Sequence, residues 1–75
     1  RLMTLEELFS DIKNEKLKEA LITYYEFKNR QEELTEREAE RFENCRKVLV
    51  KLAVTAPDDW SDHQATRQDI LETES

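Results

Sequence analysis

Apolar residues recur along this chain at helical rather than strand spacing, and capping signals divide the pattern. Leu5, Leu8, Phe9 and Ile12 stand at i, i+3, i+4 and i+7, a single stripe on an α-helix. Thr4 and Glu7 open that stripe as a capping box, the hydroxyl taking the N3 amide while the carboxylate reaches back to the cap amide. Leu17, the next apolar residue, falls five positions after Ile12 and breaks the phase, with Asn14 available as a new N-cap. The pattern predicts a short helix over about 4–13 and a restart at about 15.

The second stretch, about 15–33, places Leu17, Leu21, Tyr24 and Lys28 on one row, at 100° per residue. Ala20 and Phe27 flank that row on one side and Tyr25 on the other, while Ile22 lies on the far side. A second capping box, Thr35 with Glu38, then stops the pattern and starts a new helix, with Leu34 and Ala39 placed as a hydrophobic staple. The third stretch, about 36–55, repeats Phe42, Cys45, Leu49, Leu52 and Ala56 at alternating spacings of 3 and 4, the narrow seam of helices packed at a shallow angle. Val48 and Ala53 widen it. Pro57 disfavours helix at Ala56 and ends the element. Ser61 with Gln64 offers a third box, stapled by Trp60 and Ala65, for a short helix over about 62–72, leaving 73–75 as a frayed tail.

These elements predict one small all-α domain over residues 1–75. Its centre is an antiparallel helical hairpin closed by the loop at 31–34, with a short N-terminal helix and a short or irregular C-terminal segment. A chain of this length buries only about 60% of its unfolded surface, so self-association into a helical bundle is expected, as a homodimer with a coiled-coil-like seam.

Composition sharpens the expectation. The chain is 40% charged and 37% hydrophobic, with no glycine and one proline, a mixture too apolar and too regular for a disordered tail. Its formal charge is −6, which opposes direct binding to nucleic acid, since that draws on clustered positive charge. One cysteine cannot form an internal disulfide, and a reducing, cytoplasmic setting is expected. Met3 followed by Thr4, Leu5 and two glutamates reads as a start site, with Arg1 and Leu2 outside the native chain, and the charged first dozen residues are unlike a secretory signal. No apolar run approaches the roughly 20 residues of a membrane span.

Candidate chemistry is sparse. Asp58, Asp59, Ser61, Asp62 and His63 form the one local group of metal-ligating types. The spacing fits neither a calcium loop nor a zinc-binding histidine pair, and helix capping accounts for it better. No metal or cofactor is expected. His63 lies far along the chain from Cys45, which sits on the apolar seam where a structural thiol is expected rather than a nucleophile. No catalytic residue is assigned. Arg37, Arg41, Lys47 and Lys51 share one arc of the third helix, but Glu40 and Glu43 lie in or beside it, so an ion-paired, solvated face is expected.

Leu34-Thr35-x-x-Glu38-x-x-x-Phe42 and then Pro57-x-x-Trp60 resemble the helix start and Pro/Trp end of the Hha-type nucleoid modulators. Those are small all-helical proteins that bind a DNA-organising partner. The resemblance covers two short pieces, their interval is shorter here, and it assigns no residue role.

The functional expectation is therefore a non-enzymatic protein–protein interaction module, a regulatory adaptor or an inhibitor of a larger protein. Its contact would be an apolar and aromatic centre of Ile22, Tyr25 and Trp60 rimmed by charge. The alternative is an acidic nucleic-acid mimic that blocks a DNA- or RNA-binding protein, using the carboxylates concentrated at both ends of the chain.

Overall fold

A computed structural model describes residues 2–74. These residues are helical, with no strand among them, in the order α1 (Leu5–Leu8), α2 (Glu15–Asn29), α3 (Glu36–Thr55) and α4 (Gln64–Glu74). Short 3-10 turns at Gln31–Glu33 and Pro57–Trp60 join α2 to α3 and α3 to α4. Arg1 and Ser75, at the two ends of the expected domain, lie outside the described residues.

The first capping box forms as expected: the Thr4 N–H donates to Glu7 Oε1 at 3.0 Å, and the Glu7 N–H donates to Thr4 Oγ1 at 3.1 Å. The helix it starts runs four residues, not to 13. The Ser10 hydroxyl donates to the Glu7 carbonyl at 2.9 Å, a local bond that competes with the helical ladder. The chain turns there, and Phe9 and Ile12 both enter the core at 1% exposure, while Leu8 is left exposed. Asn14 caps α2, its Oδ1 accepting from Lys16 N–H at 3.1 Å and Leu17 N–H at 3.3 Å.

Helix α2 buries Leu17, Ala20, Leu21, Tyr24 and Phe27. It ends at Asn29 and not at 33, because Gln31–Glu33 offers only exposed polar side chains and tightens to 3-10 geometry before an extended Leu34. The Glu38 carboxylate then does two things. Its Oε1 accepts from the Thr35 N–H at 3.1 Å, and its Oε2 meets Arg30 Nη2 at 3.3 Å, tying the end of α2 to the first turn of α3. Leu34 is half-buried but Ala39 is exposed, so the expected staple covers only one of its two residues.

Helix α3 spans the expected residues and buries Leu49 and Ala53 fully. Past Pro57 the 3-10 turn carries Trp60 inward to 0% exposure, where its Nε1–H donates to the Leu52 carbonyl at 3.3 Å. Ser61 takes φ 51° and is not an N-cap. The expected box with Gln64 gives way to a different arrangement, in which Gln64 Nε2 donates to the Pro57 carbonyl at 3.0 Å. Ala65 is exposed, so it does not staple Trp60. Helix α4 therefore starts at Gln64 and runs on to Glu74 through residues expected to fray. It buries Ile70, and Arg67 Nε donates to the Ala53 carbonyl at 2.8 Å, fastening α4 to α3.

One apolar cluster joins residues from Phe9 to Ile70. The most extensive helix contact is α2 on α3, followed by α4 on α3, with α1 on α2. The Tyr24 and Phe42 rings stand 5.1 Å apart near the α2–α3 turn, and Asn14 before α2 meets Asp59 after α3. The molecule measures 34 × 33 × 19 Å, and that thinnest dimension is about two helix diameters. Helices α2 and α3 make the wide layer, and α1, the second 3-10 turn and α4 cover one side of it.

Candidate interaction surface

Ile22, Tyr25 and Trp60 do not share a surface. Trp60 is sealed in the core. Ile22 and Tyr25, three residues apart on α2, are half-buried beside α1, where the Phe9 ring stacks on Tyr25 with centroids 6.0 Å apart. Burial pushes the Tyr25 hydroxyl above its ordinary value, and the carboxylate of Asp69 adds to that rise.

Two hydrogen bonds tie the acidic cluster to the start of the chain. Asn14 Nδ2 donates to Asp59 Oδ2 at 3.0 Å, and His63 Nε2 lies 2.8 Å from Asp11 Oδ1. The His63 ring also tilts against Phe9, centroids 5.0 Å apart. That hydrogen bond from His63 holds the Asp11 carboxyl below its ordinary value. Together the two contacts gather Asp11, Asp58, Asp59 and Asp62 at one end of the molecule, all exposed. Among the described residues no group of three His, Cys, Asp or Glu side chains could hold a metal ion. No helix of those residues is long and apolar enough to cross a membrane.

The side of the α2–α3 layer that faces away from α1 and α4 is uncovered. Between the two helices runs a shallow groove of about 280 Å³ with Ala20, Cys45 and Val48 at its base and Lys16, Glu19 and Arg41 among its rim residues. Burial pushes the Cys45 thiol above its ordinary value, against the smaller opposing pull of Arg41, so the neutral thiol packs as a small apolar group. The Arg41 guanidinium lies 5.7 Å from the centroid of the Phe27 ring.

The outward arc of α3 differs from the expected ion-paired face. Ion pairs among the described residues join Glu15 to Lys18, Arg30 to Glu38, Glu43 to Arg46 and Asp11 to His63. Arg37, Arg41, Lys47 and Lys51 take part in none of them within that described set. Glu43 pairs directly with Arg46; the hydrogen bond from Arg46 and, more weakly, the nearby charge of Lys47 hold its carboxyl below its ordinary value. Sequence spacing located the stripe. It could not tell which neighbour each glutamate would choose.

Comparison with known proteins finds no matching family model, no matching curated protein and no matching solved structure.

Proposed function

We propose that this chain is a small non-enzymatic protein–protein interaction module that acts as a regulatory adaptor or an inhibitor of a larger protein. The observation that supports this reading is the uncovered α2–α3 face, an apolar groove edged by charged side chains that α1 and α4 leave open. Protein interfaces combine such an apolar centre with a polar rim. In this reading α2 and α3 form an antiparallel hairpin whose open face takes a second copy, giving a homodimeric helical bundle. Ile22 and Tyr25 stay outside that bundle and serve the larger partner, while Trp60 acts only through the core.

Photo-crosslinking in cells tests the adaptor role. A photoreactive residue at position 22 is expected to capture another protein as a discrete adduct, and one at exposed Gln68 is expected to capture none. No adduct from position 22, or equal labelling from both, would overturn the reading.

A second reading, the acidic nucleic-acid mimic, is supported by the gathering of Asp11, Asp58, Asp59 and Asp62 at one end. Such a mimic binds a basic partner with affinity that falls steeply with salt, because exposed charges are screened within about 10 Å at 0.1 M. It is tested by displacement of duplex DNA from a basic DNA-binding protein. Displacement at low salt that is lost with Asp58→Asn and Asp59→Asn together supports mimicry, and absence of displacement excludes it.

A further inference from the structure

We propose that residues 9–12 fill, from within the chain, a docking cleft for the larger partner, which enters it with an aromatic side chain, a carboxylate two residues on and an aliphatic side chain one residue further. This rests on the adaptor reading above and names the segment that such a partner presents. Phe9 and Ile12 are each only 1% exposed, yet they lie on a turn and not on a helix. The Phe9 ring fits between two elements, stacked on Tyr25 of α2 with centroids 6.0 Å apart and tilted against His63, the residue before α4, at 5.0 Å. Asp11 meets His63 Nε2 at 2.8 Å. The apolar cluster that receives Phe9 and Ile12 also holds Leu17, Leu21, Trp60 and Ile70. The seated residues thus give the chemistry of the ligand: a ring against Tyr25 and His63, a carboxylate on the imidazole, and a branched side chain in the core.

Among the described residues, the backbone hydrogen bonds of this segment close within it: Leu8 N–H donates to the Thr4 carbonyl, Phe9 to Leu5, Ser10 to Glu7 and Ile12 to Phe9. Side chains fasten it to the rest of the molecule, Phe9 and Ile12 by burial, Asp11 through His63 and Asn14 through Asp59. Asp11 and Asp59 are exposed, and exposed polar contacts hold weakly. The segment can therefore lift as one unit while α2, α3 and α4 stay folded, as locally bonded segments do below the global unfolding energy. Its own sequence favours leaving: Leu5, Leu8, Phe9 and Ile12 suit a helix to 13, and the bend at Ser10 suits the cleft instead. A docked shape that departs from local preference is held by the site it fills. Lifting the segment uncovers Tyr25, His63 and the seats of Phe9 and Ile12, beside half-buried Ile22.

A fluorescently labelled peptide copying residues 4–13 tests the cleft, by anisotropy, with circular dichroism to verify that the substituted chain keeps its fold. The wild-type chain is expected to bind the peptide weakly, because its own tethered segment competes at high effective concentration. Asp11→Asn in the chain removes the carboxylate that holds the segment down. It should tighten peptide binding by about tenfold or more, since apparent affinity scales with the open fraction. The same peptide carrying Phe9→Ala should not bind. Hydrogen exchange gives an independent readout, in which the Phe9 and Ile12 amides should exchange about tenfold or more faster than that of Leu49 in α3. No binding to the Asp11→Asn chain, or binding that survives Phe9→Ala in the peptide, overturns the proposal. Exchange at Phe9 and Ile12 as slow as at Leu49 also overturns it, because the segment would then be a permanent part of the core. An Asp11→Asn chain that dimerises in sedimentation velocity would assign the cleft to the same segment of a second copy and not to a larger partner. Failure of the peptide leaves the adaptor reading standing, since that depends on capture at position 22; loss of that capture with peptide binding intact would remove the adaptor role and keep the cleft.

Discussion

Trp60 carries more of the fold than its local sequence suggests. It sits between Asp59 and Ser61, a polar setting that reads as surface, yet the 3-10 turn after Pro57 rotates its indole into the core and pairs Nε1 with the Leu52 carbonyl. Trp60→Ala should lower stability by about 3–5 kcal/mol in urea denaturation, against about 1 kcal/mol for half-buried Ile22→Ala. Similar losses from the two would contradict the placement. Next to it, Ser61 holds φ 51° with ψ −123°, a region unfavourable for a residue with a Cβ. Ser61→Gly should therefore be neutral or stabilising, by up to about 1 kcal/mol, in the same assay. The Asp11–His63 contact adds a pH term. Because the Asp11 carboxyl titrates lower in the folded chain than its ordinary 3.8, its contribution is present above that value. It disappears as pH falls through the folded-state value. The stability gap between wild type and Asp11→Asn should accordingly be open at neutral pH and closed in strong acid; a constant gap would mean that the contact does not depend on ionisation.

At the scale of elements, the sequence was informative wherever a side chain satisfied a backbone group next to it. Thr35 with Glu38 and Asn14 with Leu17 set the starts of α3 and α2 where spacing alone put them. Both are short-range bonds, written in three or four consecutive residues. Thr35→Ala should cost about 1 kcal/mol and Thr4→Ala less, since Thr35 caps a 20-residue helix and Thr4 one of four residues. Equal losses in thermal unfolding would show that α1 contributes more than its length implies. Contacts between distant segments were not legible. The stripe Leu5, Leu8, Phe9 and Ile12 suits a helix to 13, but Phe9 reaches Tyr25 and His63 from a turn instead, and Asp11 is drawn to a histidine 52 residues away. Ser61 resembles a cap by residue type, and only the path imposed by buried Trp60 shows that it is not one. On the candidate face, the basic arc of α3 was visible in the spacing. Which glutamate bonds directly to which base depended on rotamers, such as Glu43 bonding to Arg46 and not to Lys47, that spacing does not encode.

For the whole molecule, the decisive feature is the asymmetry of its two layers. Helices α1 and α4 close one side of the α2–α3 layer and leave the other side open, where Ala20, Cys45 and Val48 floor a shallow groove with Lys16, Glu19 and Arg41 on its rim. In the proposed function this open side is where the chain meets other protein, beginning with its own copy. The most direct test follows the backbone amide resonances of isotopically labelled chain as it is diluted. Shift changes are expected along the outward arcs of α2 and α3, at Glu19, Thr23, Asn44, Val48 and Lys51, with Phe9, Ile70 and the rest of α4 unmoved. Spectra that do not change with concentration, or changes confined to α1 and α4, would contradict it.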